Sequence, residues 1–299
     1  MPPTSHRAPT GVLPLAEWYR RNARDLPWRR LEFHNDFGAW GTLVSEFMLQ
    51  QTPVARVIPH LDAWLTRWPT PRAMSAATPA EVVQQWANLG YPRRALWLHG
   101  AAIEITERHD GVVPRDVDAL LALSGIGDYT ARAVAVFAYG DRHPVVDTNT
   151  RRVLARAIEG KRQPSAASRR DLALMESLLP AAAAESAVFN AAAMELGATV
   201  CTARAPKCDR CPLIADCAWV AAGRPDTPDS RRRQAAYEGS DRQARGAVLR
   251  MLRDAAPAAV PLPSVVPDWP NPRQRDRAID SLIADGLAEA SELLLSLPR

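Results

Sequence analysis

The stretch LSGIGDYTARAV, Leu123 to Val134, contains two glycines, Gly125 and Gly127, followed directly by a helical pattern. Glycine adopts a positive φ without steric cost, so this pair predicts a tight turn. Such a turn exposes backbone N–H groups at the positive end of the next helix, which suits a phosphate oxygen. An isolated GxG is usually only a turn, so its weight depends on the motifs around it.

Helical signals surround this turn and complete a helix-hairpin-helix pattern. The run TPAE predicts a capping box with Thr78 as N-cap and Glu81 three residues later, and another helix opens at Pro92. Other helical periods lie at Val54 to Trp68, Thr130 to Tyr139, Asn149 to Ile158, Leu172 to Leu179 and Val188 to Leu196. Strand patterning is scarce before residue 255, so we expect an all-α main body.

The C-terminal part is set off by a stretch rich in Pro, Gly, Asp and Arg, GRPDTPDSRRRQ from Gly223 to Gln234. This composition predicts a linker over residues 223–240, followed by a small separate domain over 241–299. That domain contains two helical segments, Gly246 to Arg253 and Arg273 to Ile283, and the alternating tail LAEASELLLSLP. The order resembles a winged helix.

Composition excludes several classes of protein. A chain of 299 residues is long enough for two or three compact units, and 47% hydrophobic with 23% charged residues is typical of globular proteins. No apolar run approaches the roughly 18 residues of a membrane span, and the N-terminus does not resemble a secretory signal. We therefore expect a cytoplasmic protein. The net charge of +4 only weakly indicates a phosphate-binding surface.

All four cysteines, Cys201, Cys208, Cys211 and Cys217, lie within 17 residues in a C-x6-C-x2-C-x5-C arrangement. Four thiolates can coordinate one metal centre, and disulfides are disfavoured in a cytosolic chain. Zinc usually takes two close pairs of ligands, whereas only Cys208 and Cys211 form a CxxC here. The spacing therefore favours a [4Fe-4S] cluster over zinc, largely as a staple for a small loop-rich subdomain.

Two carboxylates stand out. In SEFMLQQTP, Ser45 to Pro53, Glu46 lies inside an apolar helical pattern, where a core acid paired with an arginine is the plain alternative to a functional role. In HPVVDTNTRRVLARAI, Asp147 begins a helix, where an N-cap that serves stability alone is the alternative.

With SEFMLQQTP, LGYPRRALWLH, LSGIGDYTARAV, VVDTNTRRV and the four-cysteine loop in this order, the chain resembles the MutY adenine DNA glycosylases of the endonuclease III superfamily over about residues 13–220. The resemblance implies two α-helical subdomains that flank a DNA cleft. Residues 1–37 and 144–222 would form the iron-sulfur cluster subdomain, and 38–143 a six-helix barrel with the hairpin. Too few residues follow the linker for the Nudix-like domain of many relatives, so a short form is expected.

The resemblance also implies catalytic roles. Glu46 would be the general acid that protonates adenine N7, and Asp147 would stabilise the oxocarbenium-like sugar, with Asn149 positioning the sugar and water. Apolar neighbours favour a protonated Glu46, whereas a helix start favours an ionised Asp147. Tyr129 stands where the lyases of the superfamily carry a Schiff-base lysine. Because tyrosine has no amine, we expect hydrolysis by water.

Further positions match the family's DNA contacts. Tyr91 matches the intercalating tyrosine, and Ala191 stands where many relatives have Glu or Gln contacting adenine, so part of base recognition must come from elsewhere. The remaining expected contacts are the adenine pocket (Arg24, Trp28, Arg29), the estranged base (Leu49, Gln51, Thr52, Leu89) and the phosphate hairpin (Gly125, Gly127).

We therefore predict a monofunctional adenine DNA glycosylase of base excision repair, a nucleoid-associated monomer. It would bind double-stranded DNA containing adenine opposite 8-oxoguanine or guanine, and no membrane. One alternative is an endonuclease III-like glycosylase and lyase, which Tyr129 disfavours. Another is a non-catalytic iron-sulfur DNA-binding regulator, which the winged-helix pattern and basic linker suggest but which leaves Glu46 and Asp147 unexplained.

Overall fold

The computed structural model describes residues 12–226 and 236–299. Its helices are α1 (Val12–Asn22), α2 (Leu31–Leu49), α3 (Val54–Arg67), α4 (Pro71–Ser75), α5 (Pro79–Trp86), α6 (Arg93–Arg108), α7 (Val117–Leu121), α8 (Asp128–Phe137), α9 (Thr148–Ala157), α10 (Arg169–Leu178), α11 (Ala183–Thr199), α12 (Ala218–Ala221), α13 (Asp241–Ala255) and α14 (Pro272–Ala284). Its strands are β1 (Val260–Pro261), β2 (Glu289–Ser291) and β3 (Leu294–Ser296). The described residues before Val260 contain no strand, which confirms the predicted all-α main body.

The chain forms two compact units. The first contains the described residues of Met1–Asn35, Arg115–Asp118 and Gly127–Arg231, and the second contains those of Asp36–Pro114, Ala119–Ile126 and Arg232–Arg299. The assignment of a cluster subdomain and a barrel subdomain stays a prediction. None of the described helices is long and apolar enough to cross a membrane.

The first unit is built around helices α1, α9, α10 and α11. Their apolar faces meet in a core that includes Leu15, Leu154, Met175, Phe189 and Leu196. Parts of the cysteine segment pack against the same core. Burial of these side chains is the main force that holds the four helices together.

The second unit carries its core on α2, α3, α5 and α6. On α3, Val57, Leu61 and Trp64 follow the helical period and are buried. The Trp64 ring meets the Trp86 ring of α5 edge to face, with 5.4 Å between centroids. Helix α2 is interrupted at Gly38, where φ is +50°.

Helix α5 begins as the sequence predicts. The Thr78 N–H donates to the Glu81 carboxylate at 2.8 Å, and the Glu81 N–H donates to the Thr78 hydroxyl at 3.3 Å, which completes the capping box. Two backbone donors at the helix start are thereby satisfied. These bonds lower the pKa of Glu81, the backbone bond from Thr78 most of all.

The C-terminal module, defined here as residues 236–299, has the order helix, strand, helix, strand, strand. Its three-stranded sheet has the order β1-β3-β2, and both pairs are antiparallel. This arrangement agrees with the predicted winged-helix-like piece. Within the predicted linker over 223–240, residues 227–235 lie outside the described residues.

Replacing Thr78 tests the capping box. Thr78→Ala removes the acceptor for the Glu81 N–H, so we expect the free energy of unfolding to fall by about 1 kcal/mol in urea denaturation. Thr66→Ala is the matched control, because Thr66 is exposed within α3 and caps no helix. Equal losses in the two variants would contradict a capping role.

Candidate active site

Glu46 lies on helix α2 of the second unit with only 6% of its surface exposed. Leu43, Val44, Phe47 and Met48, its neighbours along the helix, are fully buried. The structure therefore places the acid in the apolar surroundings that the sequence indicates. Its catalytic role stays a prediction at this point.

Arg94 of helix α6 closes the end of α2. Its Nη1 donates to the carbonyls of Phe47 at 2.6 Å, Met48 at 3.1 Å and Gln50 at 2.6 Å. Its Nη2 donates to the Thr52 hydroxyl at 2.9 Å. The last carbonyls of a helix have no partner within the helix, so a single buried guanidinium supplies the missing donors.

The same guanidinium holds the segment after α5. Its Nη2 donates to the Gly90 carbonyl at 2.9 Å, and the cation lies 5.2 Å from the Trp86 ring centroid and 5.5 Å from that of Tyr91. The Thr52 hydroxyl also donates to the Leu89 carbonyl at 3.3 Å. Two of the positions expected to contact the estranged base, Thr52 and Leu89, are therefore joined by a direct hydrogen bond. Burial lowers the pKa of Arg94 to about 10, so it stays charged at neutral pH.

Two residues of this region have strained backbones. Gln51 has φ +56° and Tyr91 has φ +47°, in the region that favours glycine. Strain of this kind persists only where the surrounding structure imposes it, and it often occurs at binding sites. Leu89 is buried, whereas the Tyr91 side chain is 46% exposed and accessible to a ligand.

Sequence reasoning missed Arg94. A signal was present, because Arg94 shares one helical stripe with Leu98, Ala101 and Ile105, all of which are buried. A charged residue within an apolar stripe indicates a buried ion with specific partners.

The hairpin glycines differ in what they require. Gly125 has φ +73°, and a Cβ built there would meet the Trp97 side chain at 2.5 Å, so only glycine fits. Gly127 is the N-cap of α8 with an extended backbone and without a side-chain cap. Gly127 thus contributes no side-chain cap to the first turn of α8, which suits a phosphate-binding turn. Tyr129, in the first turn of α8, packs against a small apolar cluster that includes Val145.

Asp147 of the first unit is the N-cap of α9, as its position in the sequence predicts. Its Oδ1 accepts from the Thr150 N–H at 2.6 Å, and its Oδ2 accepts from the Asn149 side-chain amide at 2.8 Å. Both carboxylate oxygens are thus oriented by hydrogen bonds at the start of α9.

Arg152 extends this arrangement towards the cysteine segment. Its Nη2 donates to the Asn149 side chain at 2.7 Å and to the Gly197 carbonyl at 2.5 Å, and its Nε donates to the Cys201 carbonyl at 2.7 Å. A Cβ at Gly197 would lie 2.6 Å from the Asn149 carbonyl, so the close contact of α9 and α11 requires glycine there. The cysteine segment and the Asp147 carboxylate are therefore linked by side-chain bonds.

A second buried acid, Glu195 on α11, was also missed. Its side chain is fully buried and accepts from Arg24 Nε at 2.7 Å and Arg29 Nη2 at 2.8 Å. Burial alone would raise the pKa of Glu195, but the hydrogen bonds from Arg24 and Arg29 outweigh it and the pKa is lowered. The structure thus brings together Arg24 and Arg29, two of the three residues expected to line the adenine pocket. The third, Trp28, is half-buried.

The four cysteines line one cavity, together with Arg156 and Trp219. Burial raises the pKa of Cys211 to about 11. The Arg156 Nη1 donates to Cys201 Sγ at 3.4 Å and to the Thr202 carbonyl at 2.8 Å. Within the described part of the chain, no three Cys, His, Asp or Glu side chains are arranged to hold a metal ion.

Comparisons with known proteins agree with this fold. Residues 44–176 match the model of the HhH-GPD superfamily base excision DNA repair proteins. An adenine DNA glycosylase of Mycolicibacterium smegmatis is 54% identical over 275 residues, which cover 92% of this chain and 91% of that protein. The chain belongs to the adenine DNA glycosylase family.

Solved structures support the same fold. A thermostable thymine-DNA glycosylase aligns with a TM-score of 0.63 and 25% identity, over 71% of this chain and 95% of its own. An endonuclease III from a non-covalent DNA complex aligns with a TM-score of 0.60 and 21% identity, over 71% of this chain and 94% of its own. At these identities the likeness concerns the fold.

Replacing Arg94 by lysine tests its structural role. A lysine keeps the charge but has one nitrogen, so several buried carbonyls lose their donor and the free energy of unfolding should fall by about 2–4 kcal/mol. The measurement is urea denaturation with Arg93→Lys as control, because the Arg93 side chain is 53% exposed. A loss no larger than that of the control would refute this role.

Proposed function

We propose that the protein is a monofunctional adenine DNA glycosylase that removes adenine paired with 8-oxoguanine or guanine from double-stranded DNA. The observation that carries this proposal is Glu46, a carboxyl buried to 6% exposure among fully buried apolar side chains. A carboxyl in these surroundings suits the role of a general acid that donates a proton. Membership of the adenine DNA glycosylase family indicates which base would receive it.

Adenine leaves deoxyribose poorly as an anion, so the first role is proton delivery. Glu46 donates a proton to adenine N7, and the bond between the base and the sugar then breaks as positive charge grows on the sugar. A carboxyl in an apolar environment suits a general acid for the same reason as in other glycoside-cleaving enzymes.

The second role is stabilisation of the sugar cation. Asp147 suits it because hydrogen bonds from Thr150 and Asn149 orient both carboxylate oxygens. Asn149 is in turn held by Arg152, so the carboxylate needs little reorganisation as charge develops. Asn149 also helps to position the sugar and the attacking water. With Tyr129 at the position of the lyase lysine, water completes the reaction and no Schiff base forms.

Recognition of the two bases divides between two sets of residues. Tyr91 enters the duplex, and Leu49, Gln51, Thr52 and Leu89 contact the base left behind by the flipped adenine. The hydrogen bonds of Arg94 to both segments support this division, since they hold the set in one geometry.

The adenine itself is read by Arg24, Trp28 and Arg29. Glu195 supports this role by fixing both guanidinium groups. It lies one helical turn after Ala191, the position where many relatives have a polar contact to adenine, and therefore on the same face of α11. The Glu195 cluster is our candidate for the recognition that Ala191 cannot supply.

The four cysteines hold a [4Fe-4S] cluster. Four cysteine thiolates are the ligands of such clusters, and all four line one cavity. The spacing of the four cysteines, with Cys208 and Cys211 as the single CxxC pair, favours the cluster over zinc. When bound, the cluster supplies a rigid cross-link for the loop. The hairpin at Gly125 and Gly127 contributes contacts to the DNA phosphates. The enzyme acts as a monomer.

A single-turnover assay tests the two carboxylates. Glu46→Gln and Asp147→Asn should each slow adenine release opposite 8-oxoguanine by about 100-fold or more, because each removes a group that acts only in the transition state. Glu32→Gln is the matched control, since Glu32 is exposed on the same helix as Glu46.

The same assay compares adenine opposite 8-oxoguanine, guanine and thymine, with borohydride added to trap any covalent adduct. We expect release from the first two duplexes and no adduct. Wild-type rates in both carboxylate variants would refute their roles, and an efficiently trapped adduct would refute hydrolysis by water.

Metal analysis of the purified protein tests the cluster. We expect about four iron atoms per chain and no stoichiometric zinc, with Cys211→Ser losing iron. Arg210→Met should keep its iron, because Arg210 is an exposed neighbour in the same loop. One zinc ion per chain in place of iron would show that the assignment is wrong.

A further inference from the structure

The segment 87–93, which joins α5 to α6 and bears Leu89 and Tyr91, is contacted at both ends by the C-terminal module. At the first end, the Arg253 guanidinium, in the last turn of α13, donates a hydrogen bond to the Ala87 carbonyl. Ala87 ends α5 with φ +46° and ψ −122°, a conformation that side-chain-bearing residues rarely adopt. A backbone held in this way depends on restraint from its surroundings.

The contact at this end is reciprocal. Gln84 Nε2 donates to the Arg253 carbonyl at 3.4 Å. Four residues after Arg253 stands Pro257, which has no N–H, so the helix itself cannot satisfy that carbonyl. Arg253 thus supplies a donor to a carbonyl at the end of α5, and Gln84 supplies one to a carbonyl at the end of α13.

At the second end, Asp285 binds Arg93, the first residue of α6. Asp285 Oδ1 lies 3.3 Å from Arg93 Nη1, and its Oδ2 accepts from Arg245 Nη2 at 2.6 Å. Between the two ends the contact is apolar. Val83 of α5 is fully buried in the core of the C-terminal module, and Leu96 of α6 packs against it.

The charge of the module does not favour independent DNA binding. Residues 236–299 contain 8 Arg and 9 Asp or Glu, so their net charge is 8 − 9 = −1. Modules that bind DNA through phosphate contacts need an excess of Lys and Arg. Its contacts with the 87–93 segment therefore indicate a supporting role within this protein rather than independent binding to DNA.

We propose that the C-terminal module is a brace for the 87–93 segment, with Arg253 and Asp285 as positioning residues that hold Tyr91 ready to enter the duplex. The role of Tyr91 rests on the proposed function. The brace acts before chemistry, so it strengthens binding to the mismatch and leaves binding to matched DNA unchanged.

The test uses the full chain and a duplex with the uncleavable analogue 2′-fluoro-2′-deoxyadenosine opposite 8-oxoguanine, with the same analogue opposite thymine as matched DNA. Arg253→Met should weaken binding to the mismatch about tenfold and leave matched DNA unaffected. Arg253→Lys, which keeps one donor, should restore most of the affinity. Arg250→Met is the matched control, because Arg250 is exposed on the same helix and carries the same charge.

A double-mutant cycle separates positioning from general stability. In a Tyr91→Ala background, Arg253→Met should cause no further loss of mismatch affinity, since the residue it positions is gone. A loss that persists in this background, or one that is equal for matched DNA, overturns the brace. If Arg253→Met does not fold, Asp285→Asn takes its place in the cycle, and the same two results would overturn the brace.

Hydrogen exchange distinguishes failure of the brace from failure of the proposed function. The Leu89 N–H, bonded to the Trp86 carbonyl at 3.2 Å, should exchange faster in Arg253→Met than in Arg250→Met. This result supports the brace even if the wild type releases no adenine, which would refute the proposed function alone. Equal exchange in the two variants overturns the brace whatever the enzyme releases.

Discussion

The Arg94 guanidinium is the interaction on which the expected base-contacting residues of the second unit depend. A buried cation is costly unless its donors are bonded, and its three nitrogens reach carbonyls or a hydroxyl at the end of α2 and in the segment after α5. Those two segments carry Glu46, the Thr52 region and Tyr91. Because one group binds both, Arg94 couples the positions of the two segments.

The first unit follows the same rule with different residues. Glu195 is buried because Arg24 and Arg29 neutralise it, and Arg152 spans the carbonyls of Gly197 and Cys201 while it holds Asn149. Buried ions of this kind add little net stability when compared with apolar packing. What they provide is a fixed geometry for the side chains that they bind.

The sequence was informative wherever structure is local. The capping box of Thr78, the place of Asp147 at a helix start and the turn at Gly125 were all predicted correctly, because each depends on bonds or sterics within three or four residues. Arg94 and Glu195 were missed because their partners are distant in sequence. Phe47 lies 47 residues from Arg94, and Arg24 lies 171 residues from Glu195. A composition or a period carries no information about such partners.

By itself the sequence determined the main helical periods, the capping box at Thr78, the glycine turn, the cysteine spacing and the family, since backbone hydrogen bonding and motif order are written along the chain. Only the tertiary structure decided which carbonyls Arg94 would bind, which arginines would neutralise Glu195, and that Arg253 would hold Ala87. The physical reason is that long-range partners are chosen by the polar groups that remain unsatisfied once the helices have packed.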